Sequence, residues 1–352
     1  MLKLDTEFVG NIRKADSLDV LFPLVQNAIE LEHATIPPYL TAMFSLKPRT
    51  EREIWDIIHS IVIEEMLHMT IASNILNALG GSPNINKPDF VPEYPTGLPM
   101  GIGDGLVVNL AKYSKQQVKD VFMEIEEPED PLNLDKIKFA QQQDYNTIGE
   151  FYMALRDKID ELAPEHLPGD PALQVTSGFF PDDVLFPILT KSDVNRAIEI
   201  IVEQGEGTTT SPIDFEGEIA HYYRFEELYR GVRLVKDDKA KYGYSFSGPP
   251  IPFDPNNVQP IFPNTKANML PAGSEERRRV DEFNAAYYSL LQGLHEVFNG
   301  KPEQLRETIG IMFDIKLFGE KLCGTKFPGK PGFTIGPTFE FISEYNTADG
   351  TT

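Results

Sequence analysis

Residues 60–72 read SIVIEEMLHMTIA. Apolar residues recur there at the spacing of an amphipathic helix, yet Glu64, Glu65 and His68 interrupt them. Extended in both directions, the stripe Ile54, Ile58, Ile61, Glu65, His68, Ala72, Ile75 and Leu79 is apolar except for one carboxylate and one imidazole. Residues three apart share a helix face. Glu65 and His68 are therefore expected to point into the core, where an uncompensated charge is costly. Glu64 is expected on the flank or behind the inward pair.

The preceding segment supplies a partner. Residues 16–46 follow the same period through Val25, Ala28, Ile29, Ile36, Leu40 and Met43, with one inward acid, Glu32. Pro37 and Pro38 are expected to bend this helix. The short KPRT connection at 47–50 makes it antiparallel to a helix running to Leu79, closed by Gly80-Gly81. An inward Glu facing Glu-x-x-His on an antiparallel neighbour is half of a carboxylate-bridged dinuclear site.

Glu-x-x-His recurs at Glu218 and His221, in a segment, 214–235, that reads as helical. The expected metal set is Glu32, Glu65, His68, Glu150, Glu218 and His221. Glu150 is chosen as the remaining acid because Phe151, Ala154 and Leu155 surround it with an apolar-aromatic face. Glu206 is the alternative, and Glu203 a third candidate. Mixed carboxylate and imidazole ligands suit iron or manganese rather than structural zinc. The expected cofactor is two Fe per chain, with Mn possible. His33, beside Glu32 but about 100° round the helix, is expected to play a structural role or to support a ligand.

Composition narrows the partners. With 54 acidic and 32 basic residues the net charge is −22, a surface that repels phosphate backbones and argues against nucleic acid. No run of about 18 apolar residues suggests a membrane span. The first residues lack the apolar stretch of a secretory leader, so a cytoplasmic protein is expected. The single cysteine, Cys323, excludes an internal disulfide and a cysteine-based metal cluster, and reads as a small buried residue. The rest of the chain is mainly α with long irregular insertions at 83–107, 164–191 and 243–272, followed by helices at about 274–298 and 302–322. The expected division is a metal-binding bundle over 1–240 and a proline-rich segment with a two-helix extension over 241–352, packed as one compact unit.

Several stretches, AIELEHATIPPYLTAMFSL, IVIEEMLHMTIASNILNALGGSP, YPTGLP, TIGEFY, EQGEG and HYYRFEEL, resemble the ferritin-like domain of the iminophenyl-pyruvate dimer synthase family. FNAAYYSLLQGLHEVFNG and GPTFEF are similar to the same family, so the likeness spans most of residues 16–340. It implies a ferritin-like helical bundle carrying metal, with Glu32, Glu65, His68 and His221 in matching motifs. The namesake enzymes oxidatively couple imines derived from aromatic amino acids, within much longer chains. The expected function is a non-haem di-iron oxidase or oxygenase using O2 on a small amino-acid-derived or other natural-product substrate, in a chain able to form a homo-oligomer. The alternatives are coupling of the namesake type, or a non-catalytic metal-binding or scaffold protein.

Overall fold

The computed structural model describes residues 6–101, 106–128, 131, 132, 134 and 148–342. The sequence predicts a helix over 147–163 with Asn146 or Thr147 as its cap, and both cap positions fall outside the described residues.

A short helix α1 (Thr6–Lys14) leads into α2 (Leu18–Ser45), which a six-residue turn joins to α3 (Arg52–Ala78). These two long helices are the spine of the molecule. α2 runs on through Pro37 and Pro38. Pro38 denies the Ala34 carbonyl its helical N–H, and the Tyr94 hydroxyl supplies the missing donor at 2.9 Å. α3 ends where Gly80 takes φ +91° and the Gly81 N–H returns to the Leu76 carbonyl.

The elements after this hairpin cover it on two sides. One side carries α4 (Lys115–Gln117, a π-turn Val118–Phe122, then Met123–Ile125), α5 (Ile148–Leu162), α6 (Lys191–Glu206) and α7 (His221–Arg230). The other side carries the hairpin α8 (Glu275–Phe298) and α9 (Leu305–Cys323). α9 approaches α2 closely at Gly319, where a Cβ would stand 2.4 Å from the Phe44 ring. One apolar cluster runs from Ile12 to Phe339 and ties α8 and α9 to the spine. β1 (Val235–Lys236) and β2 (Tyr244–Ser245) form an antiparallel pair, with Val235 opposite Ser245. Cys323 is free and buried. No helix among the described residues is long and apolar enough to cross a membrane.

Two sequence expectations need correction here. The helix expected over 214–235 is confined to His221–Arg230. Asp214 Oδ1 accepts the N–H groups of Glu216 and Glu218, Gly217 takes φ +88°, and Gly231 ends the helix at φ +74°. The sequence predicts a helix from Ser192, but α6 starts one residue earlier, because Thr190 and Asp193 form a capping box ahead of Lys191.

Candidate metal centre

α2 and α3 bring Glu32, Glu65 and His68 together, each at most 5% exposed. His68 Nδ1 lies 3.7 Å from Glu32 Oε2 and 3.9 Å from Glu65 Oε1. The ring is turned that way by its other nitrogen: His68 Nε2 is 2.9 Å from Gln204 Oε1 on α6. An amide oxygen only accepts, so Nε2 carries the hydrogen. Gln204 is itself anchored, donating to Glu216 Oε2 at 3.0 Å. Thr35 Oγ1 lies 2.8 Å from both the Glu32 carbonyl and Glu65 Oε2.

Glu65 faces a second group as well. His221, the first residue of α7 and wholly buried, places Nδ1 2.8 Å from Glu65 Oε1 and 3.5 Å from Glu126 Oε2. Its Nε2 is 2.7 Å from Glu64 Oε2, and Arg224 pairs with the same Glu64 carboxylate. His221 Nδ1 has no partner in hydrogen-bond geometry despite its nearness to Glu65. The two imidazole rings stack 5.4 Å apart. A phenol grips each outer carboxylate: Tyr39 donates to Glu126 Oε1 at 2.5 Å, and Tyr152 to Glu32 Oε1.

The charges follow from burial and from one another. Burial, and then the neighbouring Glu126, push the Glu65 carboxyl up to about 7 against the opposing pull of His221. Burial disfavours imidazolium at both histidines, yet the carboxylates win: Glu32 and Glu65 raise His68, while Glu126, Glu64 and Glu65 raise His221 well above the usual range. Burial also pushes Glu64 up, but His221 and Arg224 outweigh it and hold Glu64 at about 2. Tyr39 and Tyr152 are raised well above 10, first by burial and then by the acids they touch, so both remain donors.

The structure thus gathers Glu32, Glu65, His68 and His221 from among the residues the sequence pointed to. Glu206 joins them at the wall of the same small cavity, of about 30 Å³, and accepts the Gly149 N–H at 2.9 Å. A Cβ on Gly149 would lie 2.8 Å from the Glu206 carboxylate, so a larger residue there would push that carboxylate aside. Glu150 is not at this wall. Gly149 and Tyr152, three apart on α5, share the inward face, whereas Glu150 lies about 200° from Tyr152. Glu218 is exposed in the turn before α7, so its spacing to His221 is not a helical one. Glu203 is half-buried, and burial and Glu199 raise it.

Glu126, Gln204, Tyr39 and Tyr152 escaped the sequence reading. Glu126 follows α4 outside any Glu-x-x-His spacing. Its one local signal is the four-residue step from Phe122, which is wholly buried. Glu64 occupies the supporting place its flank position suggested.

Two donor groups result, Glu32–Glu65–His68 and Glu65–Glu126–His221, each with its ligand atoms within 4.8 Å of one another and every residue buried. They share Glu65. Three buried carboxylates, two imidazoles presenting Nδ1 and an orphaned Nδ1 at the shared edge suit iron or manganese.

Comparison with known proteins agrees with this picture. A family model described as ferritin-like matches residues 25–230. Dichlorochromopyrrolate synthase of Lentzea aerocolonigenes is 25% identical over 307 residues, which cover 79% of this chain. That stretch is 29% of the synthase, so the chain spans under a third of its length. The crystal structure of a ferritin-like protein from Caulobacter vibrioides superimposes with a TM-score of 0.58 over 90% of this chain and 96% of that one, at 23% identity. Both agree with the resemblance carried by the sequence motifs and with a mainly α-helical bundle.

Proposed function

The chain belongs to the ferritin-like family, and on that premise we propose that it is a non-haem di-iron oxidase or oxygenase. Its partners would be O2 and a small amino-acid-derived or other natural-product substrate. The observation that carries this reading is the position of Glu65 between two buried donor groups, with His221 Nδ1 left unpartnered beside it. Two iron ions per chain are the proposed content, with manganese the alternative. When bound, the metals supply redox equivalents and a position at which dioxygen can be reduced.

The protein residues have separable tasks. Glu65 would serve both metals, because its Oε1 lies 3.9 Å from His68 Nδ1 and 2.8 Å from His221 Nδ1 while the Thr35 hydroxyl holds its Oε2. Gln204 and Glu64 hold the Nε2 atoms and so aim both Nδ1 atoms inward. Tyr39 and Tyr152 each occupy one oxygen of an outer carboxylate and leave the other to face a histidine. The apolar wall, with Leu31, Ile125 and Ile201, keeps bulk water from the centre. Glu206 lines the same cavity and is the proposed completion of the set in place of Glu150. The synthase relative favours a small organic substrate, and coupling of such molecules is one form the oxidation could take.

Anaerobic loading with Fe(II), metal counting and then dioxygen uptake test the proposal. Two irons per chain and uptake that depends on them are expected, and fewer than one iron per chain refutes it. Glu65→Ala and His68→Ala should each lose metal while retaining helical circular dichroism. Bound metal without uptake would leave a non-catalytic metal protein.

A further inference from the structure

A second cavity, of about 40 Å³, lies on the opposite face of the α2–α3 hairpin, under α8 and α9. Its wall is made of Leu, Ile, Met and Phe side chains, with His33, Thr70 and Tyr287 as the polar exceptions. Two of those three are spent on protein partners. Thr70 Oγ1 donates to the Met66 carbonyl at 2.8 Å, and the Tyr287 hydroxyl lies 2.6 Å from His33 Nε2. What remains is His33 Nδ1, on a side chain 4% exposed, with no hydrogen-bond partner.

Size and lining restrict the occupant. A space of this volume exceeds the roughly 10–15 Å³ that a water needs, but a buried water also needs two to four polar partners. Thr70 Oγ1 and the Tyr287 hydroxyl keep acceptor lone pairs, but the wall facing this space is almost wholly apolar, and His33 Nδ1 is the one polar atom left without a partner. A charged or strongly polar molecule would meet the same deficit at higher cost. Burial keeps the Tyr287 phenol protonated. When that phenol donates to Nε2, Nδ1 carries the hydrogen and offers one donor. The methionine thioethers of Met66, Met69 and Met312 add polarizable, adaptable surface.

The location is as specific as the lining. Glu32, Thr35, Glu65 and His68 line the acidic cavity, and their sequence neighbours His33, Ile36, Met66 and Met69 line the apolar one. Consecutive helical residues point about 100° apart, so the α2–α3 hairpin is the shared wall of both chambers. We propose that this apolar cavity is a binding site for an uncharged, apolar molecule of diatomic size, with dioxygen as its occupant, held directly behind the two carboxylate–histidine groups. The choice of dioxygen rests on the oxidase reading; the site itself does not.

The site can be tested on the full chain without metal. Under dissolved oxygen at several atmospheres, its paramagnetism speeds relaxation of nearby methyl groups. The Met69 and Leu291 methyl signals are expected to relax several-fold faster than those of Ile58 and Ile61, which are likewise buried but line no part of the cavity. Leu294→Trp and, separately, Met312→Trp fill the cavity from partly exposed positions and should abolish the excess. Crystals pressurised with xenon should show one atom in the same space. Uniform relaxation together with an empty cavity under xenon overturns the proposal, and so does an excess that survives both tryptophan variants. Iron counting on the same protein reports independently on the oxidase reading, so the two can fail separately.

Discussion

Two buried groups on opposite faces of α2–α3 should pull the pH dependence of stability in opposite directions. Glu65 titrates at about 7 in the folded protein, against 4.5 for an ordinary glutamate. Between these values the folded state keeps a proton that the unfolded state releases, so metal-free stability falls as pH rises, by about 1.4 kcal/mol per unit. His33 is the reverse case, depressed to about 3 from 6.5. Between 3 and 6.5 the unfolded state binds a proton that the folded state refuses, so stability rises with pH at the same rate. Over pH 4.5–6.5 the two contributions offset each other. Above 6.5, the raised values of His68 and His221 make stability fall with further increase in pH.

Urea unfolding in the presence of a chelator, at half-unit steps from pH 4.5 to 6.5, separates the pair. Across that window the stability of Glu65→Gln relative to wild type should rise by about 2 kcal/mol. That of His33→Leu should fall by about the same amount. Either change is roughly 0.7 M in urea midpoint for a slope near 3 kcal/mol/M. Titrations that neither substitution touches cancel in these differences, Glu65→Gln also lowers His68 and His221 toward their ordinary range, and the double variant should come close to the wild-type slope. Relative stabilities that stay flat with pH would refute the reasoning, whatever the absolute stability of each variant.

Three further outcomes follow from particular contacts. Gln204→Leu removes the acceptor at His68 Nε2 and should weaken metal binding about 10–100-fold in a metal titration, with Gln204→Glu restoring much of it. Asn74→Ala strips Val175 of reciprocal bonds at 2.6 and 2.8 Å and should cost about 3 kcal/mol, seen as a melting temperature about 4 °C lower for a chain of this length. Gly319→Ala drives a methyl into the Phe44 ring and should destabilise by about 1–3 kcal/mol in urea unfolding, without changing metal content.

The parts of the centre that lie on long, regular helices were legible in the sequence. Glu32, Glu65 and His68 fall on stripes that keep the 3.6 period for seven or eight turns, so their inward direction could be counted. The same counting misplaced Glu218, because it presumes a helix that Asp214 and Gly217 prevent. It also favoured Glu150 over Glu206. An apolar-aromatic surround described the environment of α5, but the face turned to the centre is that of Gly149 and Tyr152, where the Gly149 N–H meets Glu206. Gln204 carries no charge to attract notice, and its contact with His68 spans 136 residues. The apolar cavity was invisible for a related reason: its lining reads as ordinary core, and a void is a property of packing, not of period.

Glu126 points to a different kind of encoding. It follows a π-turn in which the Met123 N–H reaches back five residues to the Val118 carbonyl. Such a turn holds one residue more than an α-turn. The widened turn absorbs that residue, so a deletion within Val118–Phe122 can close to an α-turn and leave Glu126 facing His221. A deletion beyond it has no widened turn to absorb it and would swing Glu126 by about 100° away from His221. Whether this acid takes part is therefore written in the length of the segment. A single-codon deletion at Glu124 would disconnect Glu126 from the centre while every side chain at the site kept its identity. Residue-by-residue comparison of related chains would miss that loss, because all the expected letters would still be there.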